Sequence, residues 1–195
     1  MATTKEEQVI LALFKHPENE LSASGLAKLA GLSRMHALRM LKRLEKDGAV
    51  TSRKVGKSVI YTIDLSEGYA RNLLRFLLTR EAKKADPYVR RWLTELKGLK
   101  HAKAAILFGS VLQKGKDAKD IDVVLITDQR NLQPLDKEVD ALNRINAKPL
   151  HPLYQASKDF RRNIRKKDPV ILNALKGIIA FGEDEVMAAY DTSGE

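Results

Sequence analysis

Two short and almost wholly apolar runs constrain the fold of this chain most strongly. They are "AAILF" at residues 104–108, which stops at Gly109-Ser110, and "IDVVLIT" at residues 121–127. The second run lacks the alternation of a half-exposed strand, and continuous apolar runs of this kind are typical of strands buried on both faces of a sheet. We therefore predict a small sheet in the C-terminal half that contains both strands.

Further elements are expected around this pair of strands. Residues 134–147 have apolar positions at helical spacing, and residues 149–157, "PLHPLYQAS", predict a third strand edged by proline. A helix is expected to open at Ser157, and residues 168–182 predict either a helix or a helix followed by a strand. The C-terminal half is therefore expected to be an α/β domain with a small mixed sheet.

The first part of the chain has helical periodicity instead. Residues 5–15 predict an amphipathic helix. A second helix is expected near residues 22–30, with Leu26 and Leu29 buried, and Gly31 should end it. The two helices are close enough in sequence to belong to one small helical unit.

A third helix should begin after Ser33, which is a good N-cap residue, and run to about Asp47. Ala37, Leu41 and Leu44 recur at three- and four-residue spacing, so they are expected to share one buried face. With the preceding helix and the tight break between them, this predicts a helix–turn–helix.

A basic hairpin is expected to follow. β-Branched runs lie on both sides of Gly56, and the tip between them carries Arg53, Lys54 and Lys57. Residues 33–60 hold 8 Lys and Arg against 2 Asp and Glu, a local charge of +6 within a net charge of +10. Such an excess favours a polyanionic partner, and a solvated basic surface without a ligand is the alternative.

The order of helix, helix–turn–helix and basic hairpin resembles that of winged helix-turn-helix transcriptional regulators. The similarity covers residues 21–63 and is most marked in "LSRMHALRMLKRLEKDGAV", residues 32–50. It implies that the third helix enters the major groove of double-stranded DNA; a winged helix that contacts only proteins is the alternative. The implied contacts are to base edges from Arg34, His36, Arg39 and Arg43, to phosphates from Lys42 and Lys46, and to backbone or minor groove from Arg53, Lys54 and Lys57.

Residues 66–100 predict two more helices. The first carries a dense apolar patch between Leu73 and Leu78 and should end near Lys84, and the second carries Trp92. This segment is expected either to mediate a homodimer or to pack between two domains, so the oligomeric state stays open.

Small and acidic residues flank the two apolar strands. Asp120 and Asp122 stand two residues apart at the start of a strand, so their carboxylates should point to the same face. Two anions so close are costly unless a cation lies between them, and hard oxygen ligands suit Mg²⁺ or Mn²⁺. The Gly109-Ser110 turn offers backbone N–H groups and a hydroxyl to a phosphate. A phosphate cradle and a metal-binding pair are two parts that nucleotidyl transfer requires.

Gly109-Ser110, nine intervening residues and Asp120-Ile121-Asp122 resemble the signature of the nucleotidyltransferase superfamily related to DNA polymerase beta. The similarity covers about residues 100–182. It implies that Gly109 and Ser110 bind a nucleoside triphosphate, and that Asp120 and Asp122 are catalytic and hold the metal ions that bridge it. In the reaction of that family an acceptor hydroxyl attacks the α-phosphate and pyrophosphate leaves. Minimal relatives include enzymes with a protein acceptor.

One part of that signature is absent. The superfamily usually adds a third carboxylate from a later strand, and the matching residues here, 147–155, contain no Asp or Glu. Lys148 and His151 occupy the region; His151 could act as a base, although a surface or core histidine is the interpretation we favour. Asp140 and Asp159 lie outside the strand and are not expected to substitute. The sequence therefore leaves catalytic turnover open.

Composition excludes several classes of protein. The chain has no cysteine, which excludes disulfides and thiolate metal sites. No run approaches the ~20 apolar residues of a membrane span, and no signal segment opens the chain. We expect a cytoplasmic protein without a membrane partner.

The sequence as a whole predicts a mixed α+β and α/β chain in three parts. These are a winged helix domain at 1–65, a helical linker or dimerisation segment at 66–100, and a minimal nucleotidyltransferase-like domain at 101–195. The predicted function is a DNA-binding transcriptional regulator that binds a nucleoside triphosphate with Mg²⁺ or Mn²⁺, with transfer to an unnamed acceptor left open. Two alternatives remain: a non-catalytic nucleotide-sensing regulator, and a nucleotidyltransferase that modifies RNA.

Overall fold

The computed structural model describes residues 4–190, with ten α-helices and six β-strands in that range. The chain divides into two compact units between Leu77 and Leu78, inside one helix. The three domain ranges given above stay predictions. Within the described range, none of the helices combines the length and the apolar character that a membrane crossing needs.

Three helices and a hairpin form the N-terminal unit, in the order expected of a winged helix. The two strands are antiparallel, with Val50 opposite Ile63, and Ser22 adds an isolated bridge to Ile60. This bridge ties the start of the helix–turn–helix to the hairpin. The elements are α1 (Lys5–Lys15), α2 (Ala23–Ala30), α3 (Arg34–Lys46), β1 (Val50–Val55) and β2 (Ser58–Ile63).

Hydroxyl caps fix the ends of the helix–turn–helix. The Ser22 hydroxyl accepts a hydrogen bond from the Gly25 N–H at 3.3 Å, and the Ser33 hydroxyl accepts one from the His36 N–H at 3.2 Å. Each satisfies a backbone donor that a helix start otherwise leaves unpaired. Gly31, with φ +60°, takes the left-handed conformation that turns the chain from α2 into α3.

The core of this unit confirms the expected face of α3 and corrects that of α2. Ala37, Leu41 and Leu44 are fully buried, as predicted. The prediction that Leu29 is buried is wrong, because its side chain is 54% exposed. The buried stripe of α2 consists of Leu26, Ala27 and Ala30, and Leu29 falls beyond the edge of that stripe.

Two helices continue the chain after the hairpin. α4 (Gly68–Lys84) contains the division between the units and ends at Lys84, as expected. Asp86 caps α5 (Pro87–Leu96) by accepting a hydrogen bond from the Tyr88 N–H at 2.8 Å, and Pro87 occupies the first helical position.

A four-stranded mixed sheet organises the second unit, with strand order β5-β4-β3-β6. β4 pairs antiparallel with β3 and parallel with β5, and β3 pairs antiparallel with β6. Residues 168–182 form a helix followed by a strand, which decides between the two predicted alternatives. The strands are β3 (Ala104–Phe108), β4 (Ile121–Ile126), β5 (Leu150–Gln155) and β6 (Ile178–Phe181); the helices are α6 (Val111–Lys114), α7 (Leu132–Ile145), α8 (Ser157–Arg165), α9 (Pro169–Leu175) and α10 (Glu183–Ala188).

The sheet is buried on both faces along β3 and β4, as the apolar runs predict. Trp92 of α5 and Leu135 of α7 belong to one core cluster with Val123 and Leu125, which lie on one face of β4. Val124 is also fully buried, although alternation places it on the opposite face. Asp122 belongs to that opposite face and is the only residue of β4 that is not buried.

We predict contrasting effects of two leucine truncations on α2. Leu26→Ala should lower the free energy of unfolding by about 2–5 kcal/mol, because it leaves a cavity at a fully buried site. Leu29→Ala should change it by less than about 0.5 kcal/mol, because this side chain is mostly in solvent. Urea denaturation followed by circular dichroism measures both. Equal losses would contradict the observed face of α2.

Candidate functional site

The β3–β4 hairpin brings together the two ends of the stretch from Gly109 to Asp122. Phe108 and Asp122 are directly opposite in the antiparallel register, so Gly109 follows immediately beside the Asp122 carboxylate. A Cβ atom built on Gly109 would overlap the Asp122 carboxylate oxygen and lie 3.0 Å from its Cγ. Gly109 also has φ +82°, which disfavours any side chain. The backbone of the turn therefore packs directly against the Asp122 carboxylate.

Asp120 and Asp122 flank Ile121, the first residue of β4, and their side chains converge. One oxygen from each carboxylate and one ring nitrogen of His151 all lie within 4.8 Å of one another. The pKa of the Asp122 carboxyl is raised above its ordinary value, first by burial and then by repulsion from Asp120, while His151 acts to lower it. The charged form of Asp122 is thus disfavoured in the protein alone, and a bound cation would relieve this.

His151 is on the surface, but it faces the carboxylate pair. In the parallel β4–β5 register it stands directly opposite Asp122, and its Nδ1 lies 3.5 Å from Oδ2 of Asp120. Its side chain is 56% exposed. Sequence reasoning placed His151 in the strand that would carry a third carboxylate, but favoured a surface or core histidine. The parallel register that sets it opposite Asp122 is not readable from a single strand's residues.

Asp140 and Asp159 are not part of this three-residue cluster. Asp140 lies on α7, and Asp159 lies on α8, where it forms an ion pair of 2.7 Å with Arg162. Lys148 precedes β5 and is half-buried. Ser110 follows Gly109 and its hydroxyl makes no capping hydrogen bond to α6, so the hydroxyl is not committed to holding that short helix.

The donor set fits a divalent cation. Two carboxylates and one imidazole supply three ligand atoms on one side, and Asp120 and His151 are exposed enough for water or phosphate oxygens to complete the coordination. The adjacent backbone at Gly109 lies against the Asp122 carboxylate, which occupies the space that a side chain at position 109 would need. Such an arrangement can hold a metal ion against a phosphorylated ligand.

The basic residues of α3 divide between a groove and the helix face beside it. Ser33, Met35 and Met40 line a shallow groove together with His36, Arg39 and Arg43. Three of the four residues predicted to contact base edges are therefore brought together, and Arg34 is not among them. Arg34, Lys42 and Lys46 are exposed outside this groove.

Two of the arginines are already paired with acidic side chains. Arg43 forms an ion pair with Glu6 of α1, and Arg53 of β1 forms one of 2.8 Å with Glu20. Lys54 and Lys57 are exposed on either side of Val55 and Gly56, at the tip of the hairpin. Exposed pairs of this kind contribute little to stability, so both arginines can exchange a carboxylate for a phosphate at small cost.

Comparison with known proteins leaves the family of this chain open. No protein-family profile matches the sequence, and a search of curated proteins finds no relative. Two solved structures are similar to about half of the chain. One is the heme sensor protein PefR from Streptococcus agalactiae in complex with heme, at 14% identity and a TM-score of 0.36, covering 49% of this chain and 70% of that protein.

The other is the zinc-dependent MarR family transcriptional regulator AdcR in its Zn(II)-bound state. It is 27% identical, with a TM-score of 0.27, and the match covers 50% of this chain and 75% of that protein. Both TM-scores are low, so the winged helix assignment depends on the topology of the N-terminal unit itself. The resemblance to nucleotidyltransferases stays a prediction.

We predict that Gly109→Ala destabilises the second unit much more than Gly115→Ala does. Both glycines have positive φ, which costs about 1 kcal/mol for alanine. Only at Gly109 does the new methyl group overlap a carboxylate, whereas at Gly115 its nearest neighbour is at an ordinary 3.8 Å. We expect a loss of about 2–4 kcal/mol for Gly109→Ala, measured by urea denaturation. Similar losses for the two variants would contradict the close approach of the turn to Asp122.

Proposed function

We propose that this protein is a DNA-binding transcriptional regulator whose second unit binds a nucleoside triphosphate together with a divalent ion. The observation that carries the nucleotide site is the close approach of the Gly109 turn to Asp122, whose carboxylate converges with that of Asp120. Two carboxylates held this close repel each other, and a cation bound between them would remove that repulsion.

Each part of the site has a distinct task in nucleotide binding. The Gly109-Ser110 turn would offer its backbone N–H groups to a phosphate, and Ser110 would add a hydroxyl that caps no helix. Asp120 and Asp122 hold the ion at the start of β4. When bound, the ion would neutralise phosphate charge and so favour attack at phosphorus.

The structure of β5 favours a second candidate, a nucleotide sensor without turnover. Its residues, Leu150–Gln155, include no carboxylate, and His151 occupies the position opposite Asp122. His151 supplies no negative charge to an acceptor-side metal ion, which is what a third carboxylate would contribute to transfer. Nucleotide binding is therefore common to both candidates, and transfer is what distinguishes them.

DNA binding is supported by the exposed charge of α3 and the hairpin. Arg39 lies in the groove with His36, and Lys42 and Lys46 lie one helical turn apart on the face away from the core. A cationic helix next to a cationic hairpin fits the major groove and the flanking phosphates of a duplex.

We predict that nucleotide binding requires both aspartates. Calorimetric titration with ATP, CTP and GTP should show binding of at least one nucleotide in Mg²⁺ and none in EDTA. The double variant Asp120→Asn with Asp122→Asn should weaken that binding at least ~100-fold, because it removes both anionic ligands. The matched control is Asp117→Asn with Asp140→Asn, which removes two exposed carboxylates elsewhere in the same unit and should bind normally.

Labelled nucleotide then separates the two candidates. With α-³²P-labelled nucleotide, label that appears on the protein, on RNA or on a lysate protein supports a transferase, whereas metal-dependent binding without label supports the sensor. If no nucleotide binds in Mg²⁺, or if the aspartate variants bind like the wild type, the proposed nucleotide site is wrong.

We predict salt-sensitive binding to duplex DNA with a specific contribution from Arg39. Against duplexes selected from a random library, Arg39→Ala should weaken binding by about 5–100-fold, because a bidentate contact to a base edge is lost. Lys42→Ala should instead weaken binding to selected and random duplexes equally. It should also reduce the slope of log affinity against log salt concentration by about 1. Fluorescence anisotropy over a salt series measures both.

The control for charge is Lys137→Ala, which removes an exposed cation from α7 in the second unit. It should leave DNA affinity unchanged within about twofold. Equal binding to duplex RNA would exclude the operator-binding function and favour the RNA-modifying alternative. Affinity for DNA that does not depend on salt would contradict the phosphate contacts.

A further inference from the structure

We propose that His151 is a third metal ligand beside Asp120 and Asp122, and that it gives the site a preference for transition-metal ions over Mg²⁺. The inference rests on the divalent-ion site of the proposed function and goes further in naming a ligand and a metal class. It does not depend on whether the site transfers a nucleotidyl group.

Strand pairing places the His151 side chain beside that of Asp122. β4 and β5 are parallel, and His151 is registered with Asp122, so the two residues lie side by side on the same face of the sheet. Leu150 and Ile121, which precede them, both belong to the core cluster on the other face. His151 is therefore held on the side of the sheet to which Asp122 points.

The spacing of the donor atoms suits one ion. Ligand atoms ~2.1 Å from an ion lie about 3.0 Å apart at right angles and about 3.4 Å apart at the tetrahedral angle. Nδ1 of His151 is 3.5 Å from Oδ2 of Asp120, and all three donor atoms lie within 4.8 Å. Small rotations of exposed side chains close this to coordination distance.

The chemistry of the donors sets the preference. Mg²⁺ favours oxygen ligands and binds best where carboxylates accumulate negative charge, whereas imidazole nitrogen suits Co²⁺, Ni²⁺ and Zn²⁺. Replacing a third carboxylate by a neutral imidazole removes one negative charge and adds one nitrogen. Both changes weaken the binding of Mg²⁺ relative to that of the transition metals, and the affinity for Mn²⁺ should be affected to an intermediate degree.

The exposed fractions leave room for a ligand on the ion. The side chains of His151 and Asp120 are 56% and 36% exposed, so the ion would be open to solvent on that side. A three-ligand site with open positions is the form expected where a phosphate oxygen or water must also bind.

The test compares the affinity for Co²⁺ with that for Mg²⁺ in wild-type protein and in two variants at position 151. Co²⁺ is titrated by its visible absorption and by calorimetry, and Mg²⁺ by displacement of Mn²⁺. His151→Ala should lower Co²⁺ affinity at least about tenfold and change Mg²⁺ affinity little. His151→Asp should reduce the Co²⁺-to-Mg²⁺ affinity ratio, because it restores a third carboxylate. Because every protein site favours Co²⁺ over Mg²⁺ to some degree, the change in this ratio is the informative quantity.

The matched control is His101→Ala. His101 is in the same unit and has an acidic neighbour, since its Nδ1 lies 2.9 Å from Oε1 of Glu138, but it is not part of the three-residue cluster. Its replacement should leave both affinities unchanged. Circular dichroism is used to check that each variant is folded. We expect the variants at position 151 to fold, because the His151 side chain is largely exposed.

Pulsed electron paramagnetic resonance of the Mn²⁺-loaded protein tests the ligand directly. A ¹⁴N coupling that is present in the wild type and lost in His151→Ala supports the proposal. If Asp120→Asn abolishes Mn²⁺ binding but the wild-type protein shows no nitrogen coupling, His151 is not a ligand. The carboxylate site of the proposed function would then remain. If the protein binds neither Mn²⁺ nor Co²⁺, both the proposed function and this inference are wrong.

Discussion

The pairing of β4 with its two neighbours is the constraint on which the candidate site depends. Antiparallel pairing places Phe108 opposite Asp122 and so puts Gly109 against the carboxylate. Parallel pairing on the other side places His151 opposite the same aspartate. Asp122 therefore has two neighbours that are far apart in the sequence, the Gly109 turn on one side and His151 on the other. A slip of either register by one residue would move that neighbour away from Asp122.

Burial of β4 stabilises that pairing, and it also raises the free-energy cost of a charged carboxylate at Asp122. From Val123 to Ile126 the strand is fully buried, so its register is held by packing on both faces. Asp122 interrupts the apolar pattern where the strand leaves the core, and its raised pKa reflects burial and the nearby Asp120. A partly buried acidic residue in an otherwise apolar strand is characteristic of a functional position.

Much of the fold could be predicted from the sequence because helical periodicity and apolar runs are local signals. The cap at Ser33 and the face of α3 follow from such signals. The prediction for Leu29 is wrong because apolar character alone does not say how wide a buried stripe is. The Gly109 and Asp122 motif is likewise local in sequence. The position of His151 is not, since it depends on which strand pairs with β4 and in which register.

The most direct measurement of the central claim is the anomalous diffraction of a crystal grown with Mn²⁺ and a nucleoside triphosphate analogue that resists cleavage. We predict an anomalous peak within about 2.3 Å of oxygens from Asp120 and Asp122 and of a phosphate oxygen, with the phosphate chain against the backbone of Gly109. A peak elsewhere on the protein, or a nucleotide bound away from this turn, would contradict the claim that β4 builds a metal and nucleotide site.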